Sequence, residues 1–310
     1  MRIAIMAAGA VGAYFGARLV AGGHDVTFFA RGAHLAAIRE NGLKIESPHG
    51  NLLLQNVQVT DDPSGVAPVD LILFAVKLWD TEHAAEQLRP LVKPHTRVIT
   101  LQNGIDSVQR LALILGDDAV IGGSTYLATV IAEPGLIRHT SPFARIRCGR
   151  LDGRSDPVLA GYVEAMGAAE IDIVLSKEMQ TELWKKFVLL SGTSGITAST
   201  RFPLGAIRAD KDVRAFFFKL MAEATAVGRA VGVVFPPDFG EELGRAVDSF
   251  SPDMKASMVH DIDRGNRLEL DWLAGTVVAL GRKHGVPTPG NEAIYAVLKL
   301  HRLGRSGSAP

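Results

Sequence analysis

The chain has 310 residues, of which 47% are hydrophobic and 21% are charged, and its 33 basic residues balance its 33 acidic residues. This composition is typical of a globular protein, and the length is sufficient for two domains. The zero net charge gives no indication of a nucleic acid or an anionic membrane surface as a partner. The single cysteine, Cys148, excludes an internal disulfide, a cysteine-based metal site and a Cys-x-x-Cys redox motif.

Residues 3–23 form an almost continuous apolar run, which could also belong to a membrane span or a signal peptide. Several glycines, Arg18 and the absence of a basic start argue against both interpretations. A buried parallel strand followed by a buried helix has the same hydropathy. We therefore expect a cytoplasmic protein with no membrane partner.

Strand-like and helix-like segments alternate through the first half of the chain. Strands are predicted at 3–6, 26–29, 43–45, 52–59, 70–76, 97–101, 119–121 and 171–174. Helices are predicted at 10–21, 33–41, 81–91, 106–115 and 156–166, and residues 122–150 are typical of a β-meander. This alternation predicts an α/β, Rossmann-type doubly wound sheet over residues 1–177, with ligands at the carboxyl ends of its strands.

The second half of the chain has a purely helical pattern. Helices are predicted at 178–190, 210–231, 236–248, 253–263, 269–284 and 289–304, and glycines and prolines separate them. We therefore predict an all-α C-terminal domain over residues 178–304 and a disordered tail at 305–310.

The turn after the first strand has the G-x-G-x-x-G spacing of a dinucleotide-binding unit, with Ala7 in the place of the first glycine. Gly9 would let the backbone approach a pyrophosphate, and Gly12 would let the helix lie close to the strand. The start of the helix, at Ala10 and Val11, offers free N–H groups to the phosphates. Ala7 is compatible with this turn only at a negative φ, and a turn blocked by its methyl group would bind no dinucleotide.

Arg31 follows the second strand, at the position where an acidic residue would accept a hydrogen bond from the ribose 2′-hydroxyl of NAD. A guanidinium group can instead pair with a 2′-phosphate, so we predict NADP as the cofactor. The alternative interpretation is an ordinary glycine-rich turn followed by a surface arginine.

Several separated motifs make the chain resemble the 2-dehydropantoate 2-reductases, also called ketopantoate reductases. The motifs are AAGAVGAYFGARL, FARG, FAVKLWD, LQNG, ELWKKF, ASM at 256–258 and GNRLELD. The resemblance covers nearly the whole chain. It implies a Rossmann domain, a helical C-terminal domain and the NADPH-dependent reduction of a small 2-keto acid, as in pantothenate biosynthesis.

Lys77 and Asn103 each follow a predicted strand and should therefore lie at the same edge of the sheet. The resemblance implies that Lys77 contacts the cofactor ribose or the substrate region. It also implies that Asn103 hydrogen-bonds the cofactor and the substrate. A solvated loop lysine and an ordinary Asn103-Gly104 turn are the alternatives.

Lys186 is the candidate catalytic acid. Its helical neighbours Leu183 and Leu190 are apolar, and burial would lower the pKa of the ammonium group and make it a better proton donor. The spacing alone slightly favours a surface ion pair between Lys186 and Glu182. The resemblance reverses this preference, and it selects Lys186 rather than Lys185.

Glu269 and Ser257 are further candidates that depend on the resemblance. It implies that Glu269 accepts a hydrogen bond from the substrate or orients Lys186, and that Ser257 binds the substrate carboxylate. Glu269 would also suit the first turn of a helix that it opens, where the helix dipole stabilises an acidic residue. Ser257 would equally suit a helix surface.

Three departures from the family pattern concern the substrate pocket. Leu190, Ser194 and Met254 stand at positions where the family often has asparagine. Since a buried amide that binds a substrate hydroxyl provides strong discrimination, we expect unchanged hydride chemistry in a more apolar pocket. We expect no metal, because a lysine can stabilise the developing charge and the nine histidines lack ligand spacing.

Two other functions stay open on the sequence alone. One is an NADP-binding regulatory protein without turnover, and the other is a β-hydroxyacid or glycerol-3-phosphate dehydrogenase of the same architecture. The match around Lys186 and Glu269 favours the ketopantoate reductases. The sequence determines neither the 2-keto acid nor the oligomeric state, and a homodimer is one open possibility.

Overall fold

The computed structural model describes residues 1–305, which form two compact units that divide between Gln180 and Thr181. The predicted boundary after residue 177 lies three residues earlier. The backbone N–H of Arg305, the first residue of the predicted tail, donates to the carbonyl of Gly265 at 2.9 Å. The rest of that predicted tail, 306–310, lies outside the described residues.

The N-terminal unit contains two β-sheets. Its strands are β1 (Arg2–Met6), β2 (Asp25–Phe29), β3 (Leu43–Glu46), β4 (Leu52–Leu54), β5 (Gln58–Thr60), β6 (Leu71–Phe74), β7 (Arg97–Thr100), β8 (Val120–Tyr126), β9 (Thr129–Glu133), β10 (Leu136–His139), β11 (Arg145–Gly149) and β12 (Asp172–Leu175). The large sheet has the order β12-β11-β8-β7-β6-β1-β2-β5, and the small sheet has the order β4-β3-β10-β9. Neighbouring strands of the large sheet are parallel except β8 and β11.

Helices accompany the large sheet in the alternation that the sequence predicts. They are α1 (Ala10–Ala21), α2 (Gly32–Asn41), α3 (Thr81–Leu88), α4 (Ser107–Leu115) and α5 (Pro157–Ala168). The central strands β6 and β7 are buried along their whole length, as expected for parallel strands covered on both faces. The prediction of a Rossmann-type doubly wound fold is confirmed.

Two predicted β-segments are each divided between the two sheets. The predicted strand 52–59 is divided, because β4 belongs to the small sheet and β5 pairs with β2 in the large one. The predicted meander 122–150 is divided in the same way, since β8 and β11 pair with each other and β9 pairs with β10. Alternating apolar residues indicate that a strand forms, but they do not specify its neighbour.

The C-terminal unit is helical over its described residues, as predicted. Its helices are α6 (Met179–Thr200), which begins just before the boundary, α7 (Leu204–Ala209), α8 (Lys211–Ala230), α9 (Phe239–Ser249), α10 (Ser257–Arg264), α11 (Ala274–His284) and α12 (Pro289–Leu298). The predicted helix 269–284 begins instead with a short 3₁₀ turn, Leu270–Trp272. Within residues 1–305, none of the helices has the length and apolar composition that crossing a membrane requires.

Helix α6 continues ten residues past its predicted end at residue 190. Residues 191–200 are rich in serine, threonine and glycine, which are weak helix formers. The hydroxyls of Thr193 and Thr197 donate to carbonyls four residues earlier, at 2.8 and 2.6 Å. A side chain at Gly192 would collide with Phe217 of α8, so the glycine permits close helix packing. Tertiary contacts therefore outweigh the weak local propensity.

Candidate active site

Four neighbouring parallel strands end level with one another in the N-terminal unit. The register pairs Met6 of β1 with Phe29 of β2 and with Phe74 of β6, and it pairs Phe74 with Thr100 of β7. The loops after these strands and the first turn of α1 carry all the predicted cofactor residues, namely Ala7, Gly9, Ala10, Val11, Gly12, Arg31, Lys77 and Asn103. The chain runs from β1 to β2 on one side and returns to β6 on the other, and dinucleotides bind at such switch points.

The turn between β1 and α1 leaves open space at Gly9. A methyl group at Gly9 would have no heavy atom within 4 Å, whereas one at Gly12 would collide with the carbonyl of Ala7 and lie 2.8 Å from Ile5. No side chain caps α1, and its first turn contains no acidic residue. The N–H groups at the start of α1 are therefore suited to an anionic ligand.

The turn forms with alanine in the position of the first glycine. Among residues 1–305, the non-glycine residues with a positive φ are Glu170 and Arg201, so the backbone at Ala7 is compatible with a side chain. The N–H of Ala8 donates to the carbonyl of Phe29 at 2.7 Å and joins the turn to the end of β2.

Arg31 is exposed and directly precedes α2, two residues after β2 ends. Its Nη2 donates to Oε1 of Gln87 on α3 at 3.4 Å, a long contact on the surface. Sequence reasoning did not identify Gln87, because nothing in the local pattern places α3 beside the end of β2. The guanidinium keeps further N–H donors for a ligand.

Lys77 and Asn103 follow β6 and β7 at the same edge of the sheet. Lys77 is exposed, with its Nζ 5.7 Å from the centre of the Trp79 ring. Asn103 is half-buried, and Gly104 after it has a φ of +91°, which suits a tight turn. The buried side chain of Gln102, which sequence reasoning passed over, joins the two loops.

Lys186 and Lys185 have different environments on α6. Burial lowers the pKa of the Lys186 ammonium to about 8, while the negative charge of Glu269 acts in the opposite direction. Lys185 forms an ion pair with Glu242 of α9, with Nζ 2.6 Å from Oε1, and its Nζ lies 5.8 Å from the Phe239 ring. Lys185 therefore has a structural partner, and Lys186 has the environment of a proton donor.

Glu269 is buried immediately before the 3₁₀ turn that leads to α11, with 8% of its surface exposed. Its carbonyl accepts from the N–H groups of Trp272 and Leu273, at 3.1 and 3.2 Å. These bonds fix the backbone that carries the carboxylate, whose charge acts on the Lys186 ammonium. The structure thus brings together the two residues that were predicted to be catalytic.

Two of the predicted substrate residues lie on the Lys186 face of α6. Leu190 and Ser194 follow Lys186 by four and eight residues, which places the three on one side of the helix. Leu190 is half-buried and Ser194 is buried.

The other two predicted substrate residues lie around the start of α10. Met254 is half-buried in the preceding loop, and Ser257 is the exposed first residue of the helix. The N–H of Ala256 donates to Oγ1 of Thr197 at 3.4 Å, so this loop meets α6 three residues after Ser194. Thr197 was not predicted, because its role depends on the unexpected length of α6.

Comparison with known proteins covers both units. The N-terminal family model for ketopantoate reductase PanE/ApbA matches residues 3–153, and the C-terminal model of the same family matches residues 178–302. The two models together match well over half of the chain.

Individual relatives match along nearly their whole length. A 2-dehydropantoate 2-reductase from Mesorhizobium japonicum is 32% identical, over 96% of this chain and 97% of that protein. An uncharacterized oxidoreductase from Bacillus subtilis is 28% identical, over 97% of this chain and 99% of that protein. The crystal structure of a PanE/ApbA family ketopantoate reductase from Ralstonia eutropha has a TM-score of 0.90 and 32% identity, over 97% of this chain and 98% of that one. On these matches, the chain belongs to the ketopantoate reductase family of oxidoreductases.

Proposed function

We propose that this protein reduces a 2-keto acid to the corresponding 2-hydroxy acid with NADPH. The proposal rests on Lys186, a half-buried lysine of α6 whose ammonium has its pKa lowered to about 8 by burial, and on the buried Glu269, whose negative charge acts on that ammonium. A lysine with a pKa of about 8 is mostly protonated near neutral pH, yet it gives up its proton more readily than an ordinary lysine. Family membership and relatives named 2-dehydropantoate 2-reductase support the same reaction class.

The level strand ends of the N-terminal unit fit a dinucleotide. The open backbone at Gly9 and the start of α1 would hold the pyrophosphate, and Lys77 and Asn103 would contact the ribose and nicotinamide portions. NADPH, when bound, would supply the hydride. The exposed guanidinium of Arg31 would pair with the 2′-phosphate.

The choice of NADPH can be tested at Arg31. We expect the unmutated protein to bind NADPH at least about tenfold more tightly than NADH, a difference of ~1.4 kcal/mol that one charge-assisted pair can provide. Arg31→Ala should remove most of this preference, and Arg39→Ala, an exposed arginine later in α2, should leave it unchanged. Equal affinities in the unmutated protein would contradict the assignment.

The chain's own contribution to the chemical step is a proton. Negative charge develops on the carbonyl oxygen of the substrate as its carbon is reduced, and Nζ of Lys186 stabilises this charge. Lys186 then donates its proton to that oxygen, which leaves a neutral amine and a hydroxyl group. Glu269 orients Lys186 or accepts a hydrogen bond from the substrate.

The proposed substrate residues favour an apolar side chain. Ser257 would bind the carboxylate of the 2-keto acid, and Ser194 offers one small hydroxyl. Leu190 and Met254 offer no strong donor or acceptor. The terminal hydroxyl of ketopantoate would lose its water there at a cost of about 1–3 kcal/mol, whereas an apolar side chain would gain from burial.

A kinetic comparison tests both the activity and the substrate class. We expect NADPH oxidation with 2-keto acids, and a higher kcat/KM for branched apolar 2-keto acids than for ketopantoate. Leu190→Asn should shift the ratio toward ketopantoate, and Leu113→Asn, on the exposed surface of α4, should not. A strong preference of the unmutated protein for ketopantoate would contradict the substrate class. If the protein binds NADPH but does not oxidise it with any of these 2-keto acids, the proposed enzymatic activity is contradicted.

A further inference from the structure

A buried polar network joins the carboxyl ends of β6 and β7. Nε2 of Gln102 donates to the carbonyl of Val76 at 3.1 Å and to Oγ1 of Thr81 at 2.8 Å, and its Oε1 accepts from Oγ1 of Thr100 at 3.2 Å. The side chains of Gln102, Thr81 and Thr100 are almost completely buried. The amide orientation follows from chemistry, since a carbonyl can only accept.

The network continues to the carbonyl of Leu78. This oxygen accepts from Oγ1 of Thr81 at 2.9 Å and from Nη2 of Arg110 at 2.8 Å. Arg110 is in turn held by both carboxylate oxygens of Glu82, at 2.7 and 2.8 Å. The loop of residues 76–81 is thus fixed to the end of β7 and to α4 at several points.

The position of Gln102 in the chain gives this network a consequence for binding. Val76, which accepts from Gln102, directly precedes Lys77, and Gln102 directly precedes Asn103. We infer that Gln102 is a positioning residue, which sets the separation of Lys77 and Asn103 and thereby the affinity for NADPH. This inference rests on the cofactor roles proposed above for Lys77 and Asn103.

The physical basis is preorganisation. A buried amide with all its bonds made is costly to disrupt, because each broken bond leaves a desolvated donor or acceptor. The two loops therefore keep one geometry before the ligand arrives, and binding does not have to order them. An apolar side chain of the same size would fill the space but would not form the hydrogen bonds that connect the two loops.

The opposite edge of the same two strands provides a matched control. Oγ1 of Thr96, which is fully buried, donates to the carbonyl of Val69 at 2.6 Å and accepts from the N–H of Lys93 at 2.9 Å. Thr96 directly precedes β7, and Val69 lies just before β6. Thr96→Val therefore removes comparable buried hydrogen bonds beside the same strands, at the edge of the sheet away from the proposed cofactor residues.

The experiment compares Gln102→Met with Thr96→Val in the full chain. Both variants should lower the urea unfolding free energy. Only Gln102→Met should raise the Kd of NADPH, by about tenfold or more. A loss of affinity of this size is typical when the residue that supports a binding residue is removed. The KM for NADPH should rise in step, while kcat changes less. In hydrogen exchange without ligand, residues 76–81 should lose protection in Gln102→Met and keep it in Thr96→Val.

If Gln102→Met does not fold, Thr81→Val is a milder variant. It removes the hydroxyl group that lies between Gln102 and Leu78 and keeps the side-chain volume. It should raise the Kd in the same direction by a smaller factor. If the Kd of NADPH changes equally in the Thr96 variant and in the Gln102 or Thr81 variant, Gln102 contributes only to stability. That result would overturn the inference. An unmutated protein that binds neither NADPH nor NADH would instead overturn the proposed function, and the positioning role with it.

Discussion

Neighbouring lysines of α6 show how the environment of a residue determines its chemistry. Lys185 is paired with Glu242, and Lys186 is desolvated next to Glu269. The two residues differ by about 100° around the helix, which is enough to give them separate partners. The order of the lysines in the sequence carries none of this information.

We predict that Lys186→Ala lowers kcat for 2-keto acid reduction by about two orders of magnitude or more, as expected for the loss of an acid catalyst. The Kd of NADPH should change little. Lys185→Ala is the matched control, and it should leave kcat nearly unchanged while losing at most about 1 kcal/mol of stability with its partly exposed ion pair. Steady-state kinetics of the two variants measure the difference, and similar small losses in both would contradict the assignment of Lys186.

The pH dependence of the reduction follows from the same group. Since Lys186 must be protonated to act as the acid and its pKa is about 8, kcat/KM should be level below that pH. Above it, kcat/KM should fall about tenfold per pH unit as the ammonium loses its proton. Initial rates from neutral to alkaline pH give this profile, and a rate that rises through the same range would show Lys186 acting as a base.

A candidate site residue can be predicted from the sequence when its role depends on residues that are close to it in the chain. The glycine spacing and Arg31 could be interpreted because one local unit, β1-α1-β2, contains them. Glu269 and Gln102 depend on contacts with elements far away in the chain, at α6 and at the end of β6. Their residue types were visible, but their burial and partners are properties of the tertiary structure.

At the scale of elements, the turn into α1 distinguishes two glycines that one motif treats alike. Gly9 faces open space, and Gly12 faces the backbone of Ala7. We propose that the open space at Gly9 admits a ligand, whereas Gly12 permits the close packing of α1 against β1.

Alanine substitutions should separate these two roles. Gly9→Ala should leave the unfolding free energy within about 0.5 kcal/mol and weaken NADPH binding at least about tenfold, because the methyl group occupies the proposed approach to the pyrophosphate. Gly12→Ala should cost about 1–3 kcal/mol of stability through overpacking. Urea unfolding and NADPH titration measure both effects. Unimpaired NADPH binding by the Gly9 variant would show that the phosphates do not approach this turn.

Element prediction failed where tertiary contacts decide the outcome. The continuation of α6 depends on the packing of Gly192 against Phe217 of α8, which has no signal in the helical pattern. The division of β4 from β5 depends on which strand edge is available. The alternation of strands and helices was nevertheless sufficient to predict the fold class.

Over the whole N-terminal unit, a buried ion cluster connects distant parts of the large sheet. Asp156, at the start of α5, accepts from Arg97 of β7 at 2.7 Å and from Arg150 after β11 at 2.6 Å. Burial alone would raise the pKa of Asp156, but hydrogen bonds from Arg97, Arg150 and the N–H of Leu159 hold it at about 2. The cluster therefore depends on a charged carboxylate.

This cluster predicts an acid-sensitive contribution to stability. Because the pKa of Asp156 is lower in the folded state, the stabilisation is complete above the ordinary aspartate pKa near 4 and is lost as the pH falls toward 2. The contribution is about 2 kcal/mol. Asp156→Asn should lower the unfolding free energy near neutral pH by about 3 kcal/mol and flatten its acid dependence, as measured by urea unfolding at several pH values. An unchanged acid dependence in the variant would contradict this role.

Transfer of a hydride from NADPH to the carbonyl carbon of a 2-keto acid is the reaction that we propose for this chain. The most direct measurement uses NADPH deuterated at the transferred position of the nicotinamide and an apolar 2-keto acid, with mass spectrometry of the product. We expect the unmutated protein to form a 2-hydroxy acid with one deuterium at C2, and Lys186→Ala to form it at a rate lower by about two orders of magnitude or more. The proposed hydride transfer would be contradicted if the protein binds NADPH but leaves the 2-keto acid unchanged, or if the product contains no deuterium.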